Sequence, residues 1–196
     1  GAAAAAPPPQ LAARAWVLAD LTSGQVLAAE RARERFAPAS LTKLMTAYVV
    51  FGALRDKALE RSALVPVSEH AWRARGSRMF VQPGKPVSVD ELILGMVVQS
   101  GNDAALALAE AFAGSEAAFT ERMNREAARL GMRDTRFENA TGRPATGHLS
   151  TAHDIYLLAA ALIRDFPEEY ARYYAQKEFR YNGITQLNRN RLLWLD

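Results

Sequence analysis

Ser40 and Lys43, in the run Pro38-Ala39-Ser40-Leu41-Thr42-Lys43, place a hydroxyl and an amine three positions apart. On a helix of about 3.6 residues per turn, that spacing puts both side chains on one face within mutual reach. A hydroxyl beside an amine able to take its proton is the minimum equipment for nucleophilic acyl transfer. A second cluster, Ser100-Gly101-Asn102, offers another hydroxyl and a carboxamide that could face the same substrate. The plainer reading of both is structural. Ser40 would be a helix N-cap and Lys43 an ordinary first-turn residue, while Asn102 or Asp103 would cap the helix that follows. Ser-x-x-Lys recurs by chance in many proteins, so spacing alone does not decide.

The elements that must position these groups are legible around them. Residues 44–54 carry no charge, which predicts a helix apolar nearly all round and therefore central and buried, with Pro38 just before it. Lys43 is then the one charge on an interior element. Such an amine snorkels to the surface, is neutralised by a partner, or has its pKa pulled from about 10.4 toward neutrality by desolvation. The last outcome is what a general base needs. Ser40, in the first turn, would sit where unpaired N–H groups and the helix dipole favour an oxyanion.

Ser88-Val89-Asp90-Glu91 has capping-box spacing, and Leu92, Ile93, Met96 and Val97 give the helix it starts an apolar stripe. Residues 104–113 are Ala/Leu-rich and helix-forming, so Ser100 to Asn102 reads as a short polar loop between two buried helices. Upstream, residues 15–20 and 25–30 flank Thr22-Ser23-Gly24 and predict a β-hairpin. Between Arg61 and Pro86, loops and small strands (63–67 and 79–81) border a cleft. A helix over 115–130 turns Ala118, Phe119, Met123 and Ala127 inward and stops at Gly131. After a loop over 139–147, Thr151 and Asp154 have capping-box spacing before a helix to Ile163. Pro167 opens a further helical turn, and 177–181 reads as a strand.

Taken together, Ser40-Leu41-Thr42-Lys43 and Ser100-Gly101-Asn102 resemble the first two of the motifs S-x-x-K, S-D-N and K-T-G of penicillin-recognising enzymes. The chain is similar to the serine penicillin-binding proteins, specifically the low-molecular-mass D-alanyl-D-alanine carboxypeptidases, in which glycine commonly replaces the middle aspartate. The likeness extends to Leu44-Met45-Thr46, Asp103-Ala104 and Asn182 to Asn190, and runs from about Ala12 onward. It implies an α/β (α+β) three-layer, β-lactamase-like fold, with an antiparallel sheet flanked by helices. It also implies an acyl-enzyme on Ser40, with Lys43 as base, Ser100 relaying the proton to the leaving amine, Asn102 holding the substrate amide and His148 bordering the cleft. The substrate would be a peptidoglycan stem peptide, β-lactams would acylate Ser40, no cofactor is called for, and the protein would be exported to the periplasm or cell envelope. No Lys-Thr-Gly occurs. Residues 12–196 therefore read as the amino-terminal portion of a catalytic domain lacking its carboxy-terminal strands, inactive and unstable alone. In that family a membrane anchor or an added β-rich domain is common outside the stretch this likeness covers.

Composition agrees. At 196 residues and 49% hydrophobic, the chain can bury a substantial core as one domain. Its net charge of +3 comes with scattered arginines, which argues against a nucleic-acid groove. There is no cysteine, so neither disulfides nor thiolate metal sites arise. No apolar run reaches the roughly 18 to 20 residues that span a bilayer. Residues 1–11, alanine-rich and then Pro7-Pro8-Pro9, read as a mature amino terminus or an expression remnant leading into a stiff linker. His70 beside Glu69 lacks an H-E-x-x-H, and His148 and His153 are spaced wrongly for one helix face, so metal chemistry is disfavoured. Two alternatives stand beside the carboxypeptidase. One is a β-lactam-sensing or wall-binding module without turnover. The other is a β-lactamase, for which no Glu-x-x-Leu-Asn element is present.

Overall fold

The uncharged run after Lys43 becomes the axis of the molecule. In the computed structural model, which describes residues 15–20 and 23–188, it forms α1 (Thr42–Arg55), and Met45, Ala47, Tyr48, Val49, Val50, Phe51 and Ala53 are all buried. The linker expected over 1–11, Thr22 of the hairpin turn, Arg189-Asn190 and the last six residues lie outside the described residues. One expectation about α1 is corrected. Ser40 does not lie in its first turn but on a separate 3-10 turn, Ala39–Leu41, closed by the Leu41 N–H on the Pro38 carbonyl at 3.0 Å. Ala39 has φ +49°, so regular α-helical bonding starts only at Thr42. The tighter winding of a 3-10 turn still brings position i+3 over position i.

Around α1 stand α2 (Glu69–Trp72), α3 (Val89–Gln99), α4 (Asn102–Ala113), α5 (Glu116–Arg129), α6 (Ala152–Asp165) and α7 (Pro167–Tyr174). Helices α3, α4, α5 and α6 all contact α1, which is why it carries no charge between Lys43 and Arg55. The hydroxyls of Ser68, Ser88, Ser115 and Thr151 each accept the backbone N–H three residues on, fixing where α2, α3, α5 and α6 begin. At α3 the cap is doubled, because the Ser88 hydroxyl also donates to the Glu91 carboxylate at 3.0 Å. At α6 the reciprocal half of the expected box is missing. The Asp154 carboxylate accepts instead from the Asp134 N–H at 2.9 Å and the Thr135 hydroxyl at 2.7 Å, tying the 132–136 loop to the helix start.

The predicted hairpin is present as β1 (Trp16–Asp20) and β2 (Gln25–Glu30), antiparallel with a register irregularity between Leu18 and Ala19. Helix α6 packs against β1 on one side, while Leu18, Val26 and Leu27 stay exposed. The extended pieces expected at 63–67 and 79–81 shrink to a two-residue β3 (Leu64–Val65), paired with β4 (Val87–Ser88). Residues 79–81 join no ladder because their N–H groups are taken by a side chain described below. The strand expected at 177–181 is β5 (Glu178–Tyr181), which turns back as β6 (Ile184–Leu187). Among the described residues the strands thus form three separate antiparallel pairs, not one sheet faced on both sides. No helix of the described residues is long and apolar enough to cross a membrane.

Candidate active site

Ser40 is exposed on its 3-10 turn, at the wall of a cleft of about 700 Å³ that Lys43 and Ser100 also line. Three chain segments therefore put a primary alcohol, an amine and a second alcohol at one opening. The Ser100 hydroxyl donates to the Ser40 hydroxyl at 3.3 Å. Lys43 is only 8% exposed, and its amine donates to the Thr141 carbonyl at 2.8 Å. Neither Ala39 (φ +49°) nor Ser100 (φ +55°) is a glycine, yet both are left-handed. Each such residue costs of order 1 kcal/mol, and such strain gathers at functional sites.

The turn between α3 and α4 explains the glycine in Ser100-Gly101-Asn102. Gly101 is buried and its N–H reaches the Gly95 carbonyl at 3.1 Å. A Cβ there would stand 3.1 Å from both that carbonyl oxygen and an Asp103 carboxylate oxygen, so an aspartate could enter only if the turn shifted. Gly101 also occupies the N-cap position that the sequence assigns to Asn102 or Asp103. Asn102 instead donates from Nδ2 to the Arg75 carbonyl at 2.6 Å, and its N–H to the Ser77 carbonyl at 2.7 Å. Asp103, 1% exposed, accepts the N–H groups of Met79, Phe80 and Val81 at 2.9–3.0 Å. These two adjacent residues clamp the 75–81 loop against the start of α4. Sequence reasoning missed this, because the partners are more than 20 residues away.

The carbonyl that receives Lys43 is positioned just as deliberately. Buried Asn139 accepts from the N–H groups of Thr141 and Gly142, at 3.2 and 2.8 Å, and donates to the Arg143 carbonyl. Thr46, one turn along α1, donates to the Ala140 carbonyl at 2.7 Å. Loop 139–143 is thus folded by Asn139 and sewn to α1 at two successive carbonyls, one of them holding the amine. Asn139 and Thr141 are site-building residues that the sequence left in an unremarkable loop.

His148 is not where a substrate-facing residue would be. It is 2% exposed and absent from the lining of the Ser40 cleft. Its Nδ1 accepts the Glu138 N–H at 2.9 Å, so Nε2 carries the proton and donates to the Thr42 hydroxyl at 2.8 Å. The ring is a neutral tie between the loop and the first residue of α1, and burial holds its pKa below the usual histidine value. In the unfolded chain the ring binds a proton near pH 6.5, whereas the folded chain resists it. Its contribution is therefore whole above about pH 6.5 and is lost as pH falls through and below that value. His148→Gln supplies an N–H donor and an oxygen acceptor without titrating. It is expected to keep most of the stability at pH 7.5 and flatten the loss between pH 7 and 5, whereas His148→Phe costs about 1–3 kcal/mol at pH 7.5. Urea midpoints across that pH range check both; an unchanged acid slope in the glutamine variant would discard the assignment.

His70 is exposed and lies 3.5 Å from Glu116. Among the described residues, no group of three or more His, Cys, Asp or Glu side chains could hold a metal ion.

Comparison with known proteins adds independent findings. The family model described as D-alanyl-D-alanine carboxypeptidase matches residues 2–196. D-alanyl-D-alanine carboxypeptidase DacC of Escherichia coli (strain K12) is 49% identical over 192 residues, covering 95% of this chain and 48% of the relative. The crystal structure of penicillin binding protein 5 from Haemophilus influenzae superposes with a TM-score of 0.93 at 41% identity, covering 97% of this chain and 56% of that one. Penicillin-Binding Protein D2 from Listeria monocytogenes, solved in the ampicillin-bound form, gives 0.84 at 29% identity, covering 96% of this chain and 76% of that one. The chain spans about half the length of the curated relatives it matches.

Proposed function

This chain belongs to the D-alanyl-D-alanine carboxypeptidase family, and from that premise we propose that its protein is a serine carboxypeptidase removing the terminal D-alanine of peptidoglycan stem peptides. The observation that carries the reading is the convergence of Ser40, Lys43 and Ser100 on one cleft, with the two hydroxyls 3.3 Å apart. Lys43, in its neutral form, takes the Ser40 proton as the oxygen attacks the carbonyl between the last two residues. A bond forms between Oγ and the carbonyl carbon. The peptide C–N bond then breaks as Ser100 passes the proton to the leaving amine, and D-alanine departs. Asn102 does not line that cleft and its Nδ2 is held by the Arg75 carbonyl, so on this reading it meets the peptide amide through Oδ1. Water hydrolyses the ester and returns the proton to Ser40. β-Lactams enter the same sequence and stay attached at the ester stage.

Residues 12–196 are, on this reading, the amino-terminal portion of the catalytic domain, completed by a segment carrying the third motif. The exposed apolar side chains on β1 and β2 give such a segment a surface to cover. The protein would work in the periplasm or cell envelope, where its substrate lies. The test is to treat the complete protein with a fluorescent penicillin and, separately, with a peptide ending in D-Ala-D-Ala. The expected result is an adduct mass confined to the Ser40 peptide and stoichiometric release of D-alanine. Labelling without release would replace the enzyme by a β-lactam sensor, and an adduct elsewhere would discard the site.

A further inference from the structure

Asn102 and Thr141 line a second cleft, of about 530 Å³, whose lining does not include Ser40. Arg73, Arg75 and Arg143 line it, against Glu69 as its one lining carboxylate. Two of these guanidiniums are already partnered. Arg143 forks onto the Glu116 carboxylate at 2.8 and 3.0 Å, and Arg73 lies 3.5 Å from Glu69. The Arg75 guanidinium makes no hydrogen bond or ion pair among the described residues, although Asn102 holds its backbone tightly. That hold leaves no slack. The Asn102 Nδ2 sits 2.6 Å from the Arg75 carbonyl, and at Gly76 (φ +83°) a Cβ would come within 2.8 Å of the same nitrogen. An uncommitted cation is thus anchored beside the residue assigned to the substrate amide.

Thr141, whose carbonyl receives the Lys43 amine, also lines this second cleft. A peptide whose scissile carbonyl meets Ser40 and whose amide meets Asn102 would run its upstream residues into this space. An arginine presents a planar fork suited to a carboxylate, and the exposed Arg75 side chain is accessible to one carried by a peptide lying in this cleft. We propose that this cleft is a subsite for a carboxylate carried by the acyl-donor peptide upstream of the scissile bond, with Arg75 as its cation. The proposal rests on the carboxypeptidase reading for the direction in which the peptide runs.

Two peptides ending in D-Ala-D-Ala, identical except for an upstream acidic residue or its neutral amide, test it with the complete protein. The wild type is expected to favour the acidic peptide about 2- to 5-fold in kcat/KM at low salt, as for an exposed charge-assisted pair. The preference should shrink as ionic strength rises. Arg75→Ala brings the ratio to near one, and Arg75→Lys restores part of it. Calorimetric Kd values for the corresponding product peptides, shortened by one D-alanine, follow the same pattern whether or not turnover occurs. Failure of both peptides to be cleaved would therefore sink the reaction, while those Kd ratios would still decide the subsite. A wild type without preference, or a preference that survives Arg75→Ala, overturns the subsite.

Discussion

Replacing Lys43 by methionine is expected to slow acylation of Ser40 by about 10²- to 10⁴-fold, the range for removal of a positioned general base. Methionine keeps the length and buried stem of the side chain, so packing at the start of α1 is largely retained. The Thr141 carbonyl loses its 2.8 Å donor, which costs about 1–3 kcal/mol and should appear as a lower urea midpoint with an unchanged slope. Arginine is the deciding comparison. It keeps a positive charge and N–H donors for Thr141 but cannot give up a proton near neutrality. If Lys43 served only as a fixed cation, Lys43→Arg would acylate within about tenfold of wild type. If it is the base, Lys43→Arg is as slow as Lys43→Met. Stopped-flow mixing with a fluorescent penicillin measures all three rates. An arginine variant of near-native speed would remove Lys43 from the role assigned to it.

That prediction rests on a feature the sequence announced, and the reason it could do so is local. A run of eleven uncharged residues behind one lysine has to be buried, and burial fixes where the lysine sits. The Ser88 and Thr151 caps and the inward stripe of α5 were legible for the same reason, since each depends on neighbours three or four positions apart, and the hairpin was legible from the short turn between its strands. The penicillin-binding-protein fold itself was implied by the resemblance carried on Ser40-Leu41-Thr42-Lys43 and Ser100-Gly101-Asn102, and the superposition on penicillin binding protein 5 bears it out.

What stayed hidden is tertiary. Nothing near Asp103 marks it as the acceptor for three N–H groups on another loop, and nothing in Asn139-Ala140-Thr141 says that one of those carbonyls will receive an amine 98 residues away. His148 was misplaced because lying in a segment near the cleft does not set the direction of the ring. Its two nitrogens are spent on Glu138 and Thr42 before any ligand could reach them. The 3-10 turn under Ser40 was missed too, because alanine gives no warning of a left-handed φ.

Gly142 packs directly against that turn, and its substitution should be among the most damaging single-residue changes in the chain. Gly142 has φ +90°, and a Cβ built on it would collide with the carbonyl of Ala39, the residue immediately before the nucleophile. The colliding group is backbone and cannot swing aside as a flexible side chain would. Either loop 139–143 backs away from α1, drawing the Thr141 carbonyl off Lys43, or Ala39 moves and takes Ser40 with it. Gly142→Ala is therefore expected to cost about 3 kcal/mol or more in urea unfolding, beyond the usual range for a point substitution. It should also slow acylation at least about tenfold in whatever fraction remains folded. Gly114 supplies the control for backbone conformation alone: its φ is +84°, but nothing lies within 4 Å of a Cβ there. Gly114→Ala should cost about 1 kcal/mol with acylation unchanged. If the two alanine variants lose equal stability and acylate alike, the contact between Gly142 and Ala39 does not hold the nucleophile in place.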